Sequence, residues 1–376
     1  MARRPDVPIR WRRGNGNGGA VLKTRLGDAK GRSRTVLSSL PFIAIALVAV
    51  TDLLAGPRLG FLPLLTLGPT FASVSGSVRR TLAVGGLALV VGLPLAYYSD
   101  VLFSPQNNLT LATIVAVTGA SALASRLRIR RERELADVRL VAEAAQRVLL
   151  RPVPRRADDL RVALSYTSAA AEAQIGGDLY EVVSTMHGVR LLIGDVQGKG
   201  LGAVETAAWV LGAFREAAYD EPDLSVVGER VEHSLMRHLG GEKFVTAVIG
   251  EVHEDEISLL NFGHPPPLVI GRDGAIFEAE PEIECPPLGL VSLGSGPVKP
   301  YRFPFGDGDQ ILLYTDGVIE ARDRSGAYYP LLDRAGLLMA ADPQAALDDL
   351  RSDLIAHVGG PLGDDAAMLF LRRNPT

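Results

Sequence analysis

Between residues 36 and 125 the chain carries four apolar stretches, near 36–55, 59–75, 81–98 and 108–125, each close to the ~20 residues that cross a bilayer core as a helix. In lipid every backbone amide must be satisfied within the segment, so the pattern predicts an all-α transmembrane region of about four helices. The second stretch is the least regular, because Pro63, Gly68 and Pro69 interrupt it. Flanking charge sets the orientation. Ten Lys/Arg precede the first stretch, Arg79 and Arg80 lie between the second and third, and the run RLRIRRER (126–133) follows the fourth. The connections Gly56–Gly60 and Ser99–Asn107 hold only Arg58 as a base. By the positive-inside rule both ends face the cytoplasm, which predicts a multi-pass protein of the cell membrane. Buried helices of a soluble protein are the competing reading, and they leave the alternation of charge without a cause. A cleaved signal peptide fits poorly, because the apolar region begins late and is followed by further apolar segments.

Residues 1–35, with the run Gly14–Gly19 between basic residues, lack the hydrophobic density to pack and are expected to form a disordered cytoplasmic tail. Their ten basic and two acidic residues leave about −12 on the remainder of a chain whose formal net charge is −4. An acidic body of that kind argues against nucleic acid as a partner. Cys285 is the only cysteine, which excludes intrachain disulfides and cysteine-rich zinc sites. The six histidines (His187, His233, His238, His253, His264 and His357) form no HxxxH or HExxH pair. Any metal site must then rest on carboxylates, and hard cations such as magnesium or manganese become the candidates.

Residues 126–154 read as a basic linker and a signalling helix. From Glu134 to Leu150, residues Leu135, Val138, Ala142, Ala145 and Leu149 recur on one helical face. That face predicts either a short parallel coiled coil, and with it a homodimer through the linker, or a single helix packed on the next domain. Pro152 and Pro154 end it. Beyond lie short β-rich runs: RVALSYT, LYEVVST, VRLLIGDV, FVTAVIGEV, ISLLNFG, PLVIG, QILLYTDGV and AAMLFLR. Helical stretches fall at 201–218, 226–239 and 343–356. Strands that follow one another in hairpins, with helices grouped apart, predict an α+β domain over 155–373 built on antiparallel sheets.

Four strings in this domain each set an aspartate beside glycine: IGGD ending at Asp178, IGDVQGKG with Asp195, YTDG with Asp316, and GDD with Asp364 and Asp365. Each alone reads as an ordinary turn. If they converge at one end of a sheet, their mutual repulsion calls for divalent cations.

The strings and their order resemble the SpoIIE-like branch of the metal-dependent protein phosphatases related to protein phosphatase 2C. The resemblance runs from about Val148 to Arg372 and includes IGGDLYEVV, LLIGDVQGKGLGAVETAA, FVTAVIGEV, NFGHPPPLVI, PPLGL, ILLYTDGVIEARDRSGAYY and GDDAAMLFLR, with AQRVLLRPVP at the linker. It implies a two-sheet antiparallel β-sandwich flanked by helices and a protein serine/threonine phosphatase that uses two divalent ions, manganese or magnesium. It implies that Asp195 bridges the two ions, that the Val196 carbonyl supports one, and that Asp316 and Asp364 bind the other. Asp178 would hold metal-bound water from outside the ligand set, and Asp365 is the alternative to Asp364. The nucleophile is then metal-activated water and not a protein side chain. The substrate implied is a phosphoprotein, with an anti-sigma-factor antagonist as a frequent target of this branch.

Departures from the family pattern bear on the chemistry. Gln197 stands where many members carry serine, no histidine is nearby to protonate the leaving group, and no arginine is placed to clamp the phosphate. Protonation then falls to a metal-bound water. Lys199 reads as a solvated loop lysine, with approach to the phosphate as the alternative. His264, followed by three prolines, reads as part of a rigid turn, and Glu181 as an ordinary strand-end carboxylate. The arginines of RLRIRRER are expected to touch anionic headgroups. Two rival functions remain: a nucleotide cyclase, suggested by the GGD at 176–178 but lacking the acidic pair after it, and a catalytically silent membrane scaffold with a phosphatase-like fold.

Overall fold

The computed structural model describes residues 38–54, 61–98, 104–168, 176–238, 243–294, 296 and 298–374. The expected tail, 1–35, lies outside the described residues, as do most of the two connections that set the charge alternation. The chain divides into two compact units, Met1–Leu135 and Ala136–Thr376.

In the first unit the apolar stretches become helices: α1 (Ser38–Leu54), a 3-10 turn (Leu62–Thr66) leading into α2 (Leu67–Ser75), α3 (Val78–Tyr98) and α4 (Pro105–Leu149). Among the described residues, Val78–Tyr98 and Asn107–Leu149 are long and apolar enough to cross a membrane; Ser38–Leu54 and Leu62–Val74 are shorter apolar helices. The second stretch is broken as its composition suggests, since Pro63 opens a 3-10 turn in place of an α-helix. Small residues let these helices approach closely. A side chain at Gly85 would collide with Thr118, and Thr81 and Ser125 share a hydrogen bond at 3.2 Å. The outward surface is apolar, with Phe42, Ile43, Leu47, Leu54, Val74, Val90 and Leu109 exposed. Within the basic run, the Arg128 guanidinium donates to the carbonyls of Val74 (2.6 Å) and Gly76 (2.9 Å), closing the end of α2, and Arg130 pairs with Glu134.

The second unit contains the last turns of α4, then β1 (Arg156–Ala157), β2 (Leu160–Thr167), β3 (Asp178–Thr185), β4 (Gly188–Val196), α5 (Leu201–Asp220), α6 (Leu224–His238), β5 (Val245–His253), β6 (Glu256–Phe262), β7 (Leu268–Ile270), β8 (Ile276–Glu278) and β9 (Tyr301–Pro304). β10 (Gln310–Tyr314), α7 (Asp316–Ile319), α8 (Leu331–Arg334), α9 (Pro343–Val358) and β11 (Ala366–Arg373) complete it. Two antiparallel sheets form, in the orders β1-β2-β11-β10-β7-β8 and β3-β4-β5-β6-β9. All eight strands expected from sequence are present. The run QILLYTDGV ends as a strand at Tyr314, because Asp316 starts the short helix α7.

Strict alternation along the strands builds three cores. In β11, Ala367, Leu369 and Leu371 point between the sheets, where they meet Leu191, Ile193, Val248 and Ile311. Ala366, Met368 and Phe370 point the other way, against Leu347, Leu350 and Leu354 of α9. On the outer face of the second sheet, Leu192, Ile249 and Leu260 pack against Val210, Leu211, Phe214 and Val231 of α5 and α6. Each fully buried aliphatic or aromatic side chain contributes about 1.5–3 kcal/mol. The layers are therefore helices, sheet, sheet, helices, which leaves the strand ends free to carry chemistry.

Candidate metal centre

The acidic strings converge on one end of the sandwich. Asp178 is the first residue of β3 and Asp195 the last but one of β4, and the two are register partners at the open end of that hairpin. On the facing sheet Tyr314 of β10 pairs with Met368 of β11. Asp316 just after β10 and Asp364–Asp365 just before β11 therefore emerge side by side. Thr315 ties the two sheets together. Its hydroxyl accepts from the Ala367 amide at 2.9 Å and donates to Asp178 Oδ2 at 3.0 Å.

Glycines make the crowding possible. A side chain at Gly176 would fall on the Asp365 carboxylate, and one at Gly177 would meet Asp195 Oδ1 and the Val196 carbonyl. Only glycine lets this backbone come so close to the carboxylates.

Electrostatics confirm that the aspartates share one field. Burial, Asp195 and Asp365 hold Asp178 well above the usual carboxylate range. Asp195 is pushed up to about 7 by burial and by Asp316, Asp364 and Asp365. Asp316 is raised by burial, then by Glu320 and Asp364. Protons accumulate on these groups because like charges cannot all ionise in a partly buried cluster; a divalent cation meets the same need. The two C-terminal aspartates differ: Asp365 is buried, whereas the Asp364 side chain is 56% exposed. Lys199, between Gly198 and Gly200 with positive φ, places Nζ 2.8 Å from Asp364 Oδ1. It is thus not a free loop lysine but the counter-ion of one carboxylate.

The oxygen atoms gathered at this end, those of Asp178, Asp195, Asp316, Asp364 and Asp365 and the Val196 carbonyl, are of the kind that suits a hard cation. Among the described residues, no three His, Cys, Asp or Glu side chains already close on a common point. The carboxylates are gathered within one field without being drawn into a chelate.

Four residues near the cluster were not legible as site residues. Gln146, at the end of α4, donates to the Tyr166 hydroxyl at 3.2 Å and to the Gly176 carbonyl at 3.3 Å. Tyr166 is raised above the usual phenol range by burial, then by Asp365 and Asp178. Glu181 is no strand-end carboxylate; it lies within β3, buried, and is ion-paired with Arg215. For Gln146 and Tyr166 the sequence held no signal beyond their position in AQRVLLRPVP and at the end of RVALSYT. His264 is buried in its turn, with Nδ1 3.1 Å from Thr246 Oγ1 and its backbone clamped by the Asn261 side chain at 2.8 and 2.9 Å.

Comparison with known proteins gives the following likenesses. The sequence model of the Stage II sporulation protein E (SpoIIE) family matches residues 185–374, just over half of the chain. Phosphoserine phosphatase RsbU of Bacillus subtilis (strain 168) is 24% identical over 250 residues, 63% of this chain and 70% of that protein. The SiaA-PP2C domain of Pseudomonas aeruginosa superposes with a TM-score of 0.55 at 15% identity, over 65% of this chain and 99% of that one. The RsbU and RsbW domains of a Mycobacterium tuberculosis protein are 28% identical with a TM-score of 0.49, over 60% of this chain. This chain spans 62% of that structure, under two thirds of its length. The SiaA likeness establishes the fold of the second unit as that of a protein phosphatase 2C domain.

Proposed function

This chain belongs to the SpoIIE family of protein phosphatase 2C-like serine/threonine phosphatases, and on that premise we propose that it hydrolyses phosphoserine or phosphothreonine on a protein from a catalytic domain anchored to the cell membrane. The observation that carries this reading is the convergence of Asp178, Asp195, Asp316, Asp364 and Asp365 from both sheets on one end of the sandwich, their charges coupled to one another.

When bound, two divalent cations, manganese or magnesium, supply an activated water for in-line attack on phosphorus and offset charge on the phosphoryl oxygens. Asp195 is assigned to both ions, because its carboxylate is coupled to Asp316, Asp364 and Asp365 at once. The Val196 carbonyl joins it from the next residue. Asp316, whose carboxyl is raised by burial and then by Glu320 and Asp364, is assigned together with Asp364 to one ion. Asp178, buried and held by Thr315, would hold metal-bound water from outside the ligand set. Asp365 takes that rear position beside it in preference to Asp364, since it is buried and Asp364 faces solvent. Lys199 neutralises part of the cluster and stands at its open side, where a phosphate would enter.

The RsbU likeness supports phosphoserine as the substrate group, and an anti-sigma-factor antagonist is the phosphoprotein we propose. The membrane anchor is supported by the two helices of spanning length, by the apolar outward surface of the first unit and by the charge alternation in the sequence, from which we infer a cytoplasmic catalytic domain. A catalytic domain there meets cytoplasmic phosphoproteins directly.

The full-length chain in detergent micelles should hydrolyse p-nitrophenyl phosphate with manganese or magnesium and lose that activity in EDTA. Activity that survives complete metal removal would overturn the two-metal reading. Inactivity with every divalent ion would favour the silent scaffold.

A further inference from the structure

The last turns of α4 reach the back of the acidic cluster. Ala142 is fully buried against Val204 of α5, and Leu149 packs into the core under α5 and α6. The Leu149 carbonyl accepts from Arg215 Nη2 at 2.7 Å, and Arg215 is itself ion-paired with the buried Glu181 of β3. Between these anchors stands Gln146, half-buried, with its amide on two acceptors.

Both acceptors belong to the scaffold of the carboxylates. Gly176 lies two residues ahead of Asp178, and its Cα faces the Asp365 carboxylate so closely that no side chain fits between them. Tyr166 is on β2, where it pairs with Ala367 and its neighbour Thr167 pairs with Ala366, the residue after Asp365. One amide therefore holds the approach to Asp178 on one sheet and the strand beside Asp365 on the other.

We propose that Gln146 is a positioning residue of the metal centre: by fixing the Gly176 carbonyl and the Tyr166 hydroxyl it sets the spacing of Asp178 and Asp365 behind Asp195. The proposal rests on the two-metal reading of the site. Mutually repelling carboxylates keep a productive arrangement only if the backbone that carries them is held from outside. At the start of β3 that hold consists of the Val196 amide on the Gly177 carbonyl (3.1 Å), Thr315 on Asp178, and Gln146 on Gly176. Gln146 is the member of this set that comes from outside the sandwich.

The test uses the full-length protein in detergent micelles and manganese as the probe. Manganese binding is measured by titration calorimetry, with melting temperature in chelator measured alongside. Gln146→Met keeps the length and helical preference of the side chain and removes both donated bonds. Tyr166→Phe removes one acceptor without touching α4, and Arg147→Ala, at an exposed neighbouring position, is the control. The expected result is a loss of manganese affinity of about 10-fold or more for Gln146→Met, in the range seen when partners outside a ligand set are removed. Tyr166→Phe should show a smaller loss and Arg147→Ala none. The manganese concentration for half-maximal activity should rise in step. Unchanged affinity in Gln146→Met overturns the proposal, as does a fall in melting temperature with affinity intact, which would make the residue structural only. A wild-type chain that binds no manganese overturns the two-metal reading and this inference together.

Discussion

Asp178 and Asp195 face each other as register partners across β3 and β4, yet their surroundings differ: Asp178 is buried and receives the Thr315 hydroxyl, whereas Asp195 is open to Asp316 and Asp364 on the facing sheet. Two carboxylates at one rung of a hairpin thus sit in different surroundings, which is the basis of the unequal roles proposed for them.

That division predicts unequal effects of truncation. Asp195→Ala removes the carboxylate assigned to both ions and should cost about 10³-fold or more in kcat, corresponding to several kcal/mol of lost stabilisation. Asp178→Ala should cost about 10–100-fold, as expected for a partner outside the ligand set. Steady-state rates on p-nitrophenyl phosphate at saturating manganese decide the matter. If Asp195→Ala proves the more active variant, the two aspartates exchange roles.

His264 supplies a prediction about pH. Burial pushes its imidazole down to about 3, below the ordinary histidine value near 6.5. A depressed folded-state value means that the neutral form supports the fold fully above the unfolded value. That support is lost as pH falls from about 6.5 toward 3. The melting temperature of the full chain should fall across this window, and His264→Gln, which cannot charge, should flatten the slope. The same neutrality removes His264 as a proton donor near pH 7, so the variant's pH–rate profile should keep its wild-type shape. A shifted acid limb in that profile would make the residue part of the chemistry.

Lys199 is the counter-ion of Asp364, and its removal leaves the cluster one charge more negative. Lys199→Ala should therefore bind manganese several-fold more tightly, since the cation no longer competes with an ammonium for the Asp364 carboxylate. If Lys199 also meets the phosphate, KM for substrate should rise in the same variant. Calorimetry separates the two effects, because only the first is seen without substrate. Weaker manganese binding in Lys199→Ala would mean that the lysine organises the site.

Arg190 has no part in the site but holds its frame. Fully buried on β4, it pairs with Glu251 of β5 and donates to the carbonyls of Ala218, Glu221 and Pro222 at the α5–α6 corner. Arg190→Ala leaves those acceptors and one carboxylate without their donor, a change that costs about 3–5 kcal/mol where a buried pair is broken. A large fall in melting temperature is expected. A near-neutral effect would show that water replaces the guanidinium.

The sandwich and its acidic end were legible because both rest on local signals. Alternating strands such as AAMLFLR read directly as two-faced elements, and aspartate beside glycine marked each strand end that reached the site. The short edge strands β1, β8 and β9 were missed, since two to four residues carry no readable period. Lys199's ion pair, the Arg215–Glu181 pair and the Gln146 bridge were also hidden. Each joins residues tens of positions apart or more, and nothing in the sequence near one partner points to the other. In the first unit, composition marked the apolar stretches but not their breaks. Among the described residues two of the four are helices of spanning length, and the second stretch is broken where Pro63 starts a tight turn.

The linker helix provides the last prediction. Its sequence face of Leu135, Val138, Ala142, Ala145 and Leu149 allowed either a coiled coil or packing on the catalytic domain, and the structure seats the C-terminal part of the face on the catalytic domain. Ala142, Ala145 and Leu149 are seated against α5 and the core beneath it, whereas Leu135 and Val138 are exposed, at 58% and 50%. If the protein forms a homodimer through this helix, the exposed part is the surface available for it, and two substitutions should separate the functions. Val138→Asp should abolish self-association and leave the catalytic domain's melting temperature intact, because Val138 is exposed and lies outside the described core clusters. Leu149→Asp should lower the melting temperature and the phosphatase rate together, because it places a carboxylate in an apolar core beside the carbonyl that Arg215 holds. Sedimentation of the full chain in micelles, run beside the aryl phosphate assay, reads both outcomes. A Val138→Asp protein that still associates would exclude the linker as the dimer contact. A Leu149→Asp protein with wild-type rate and melting temperature would show that the end of α4 is a passive tether.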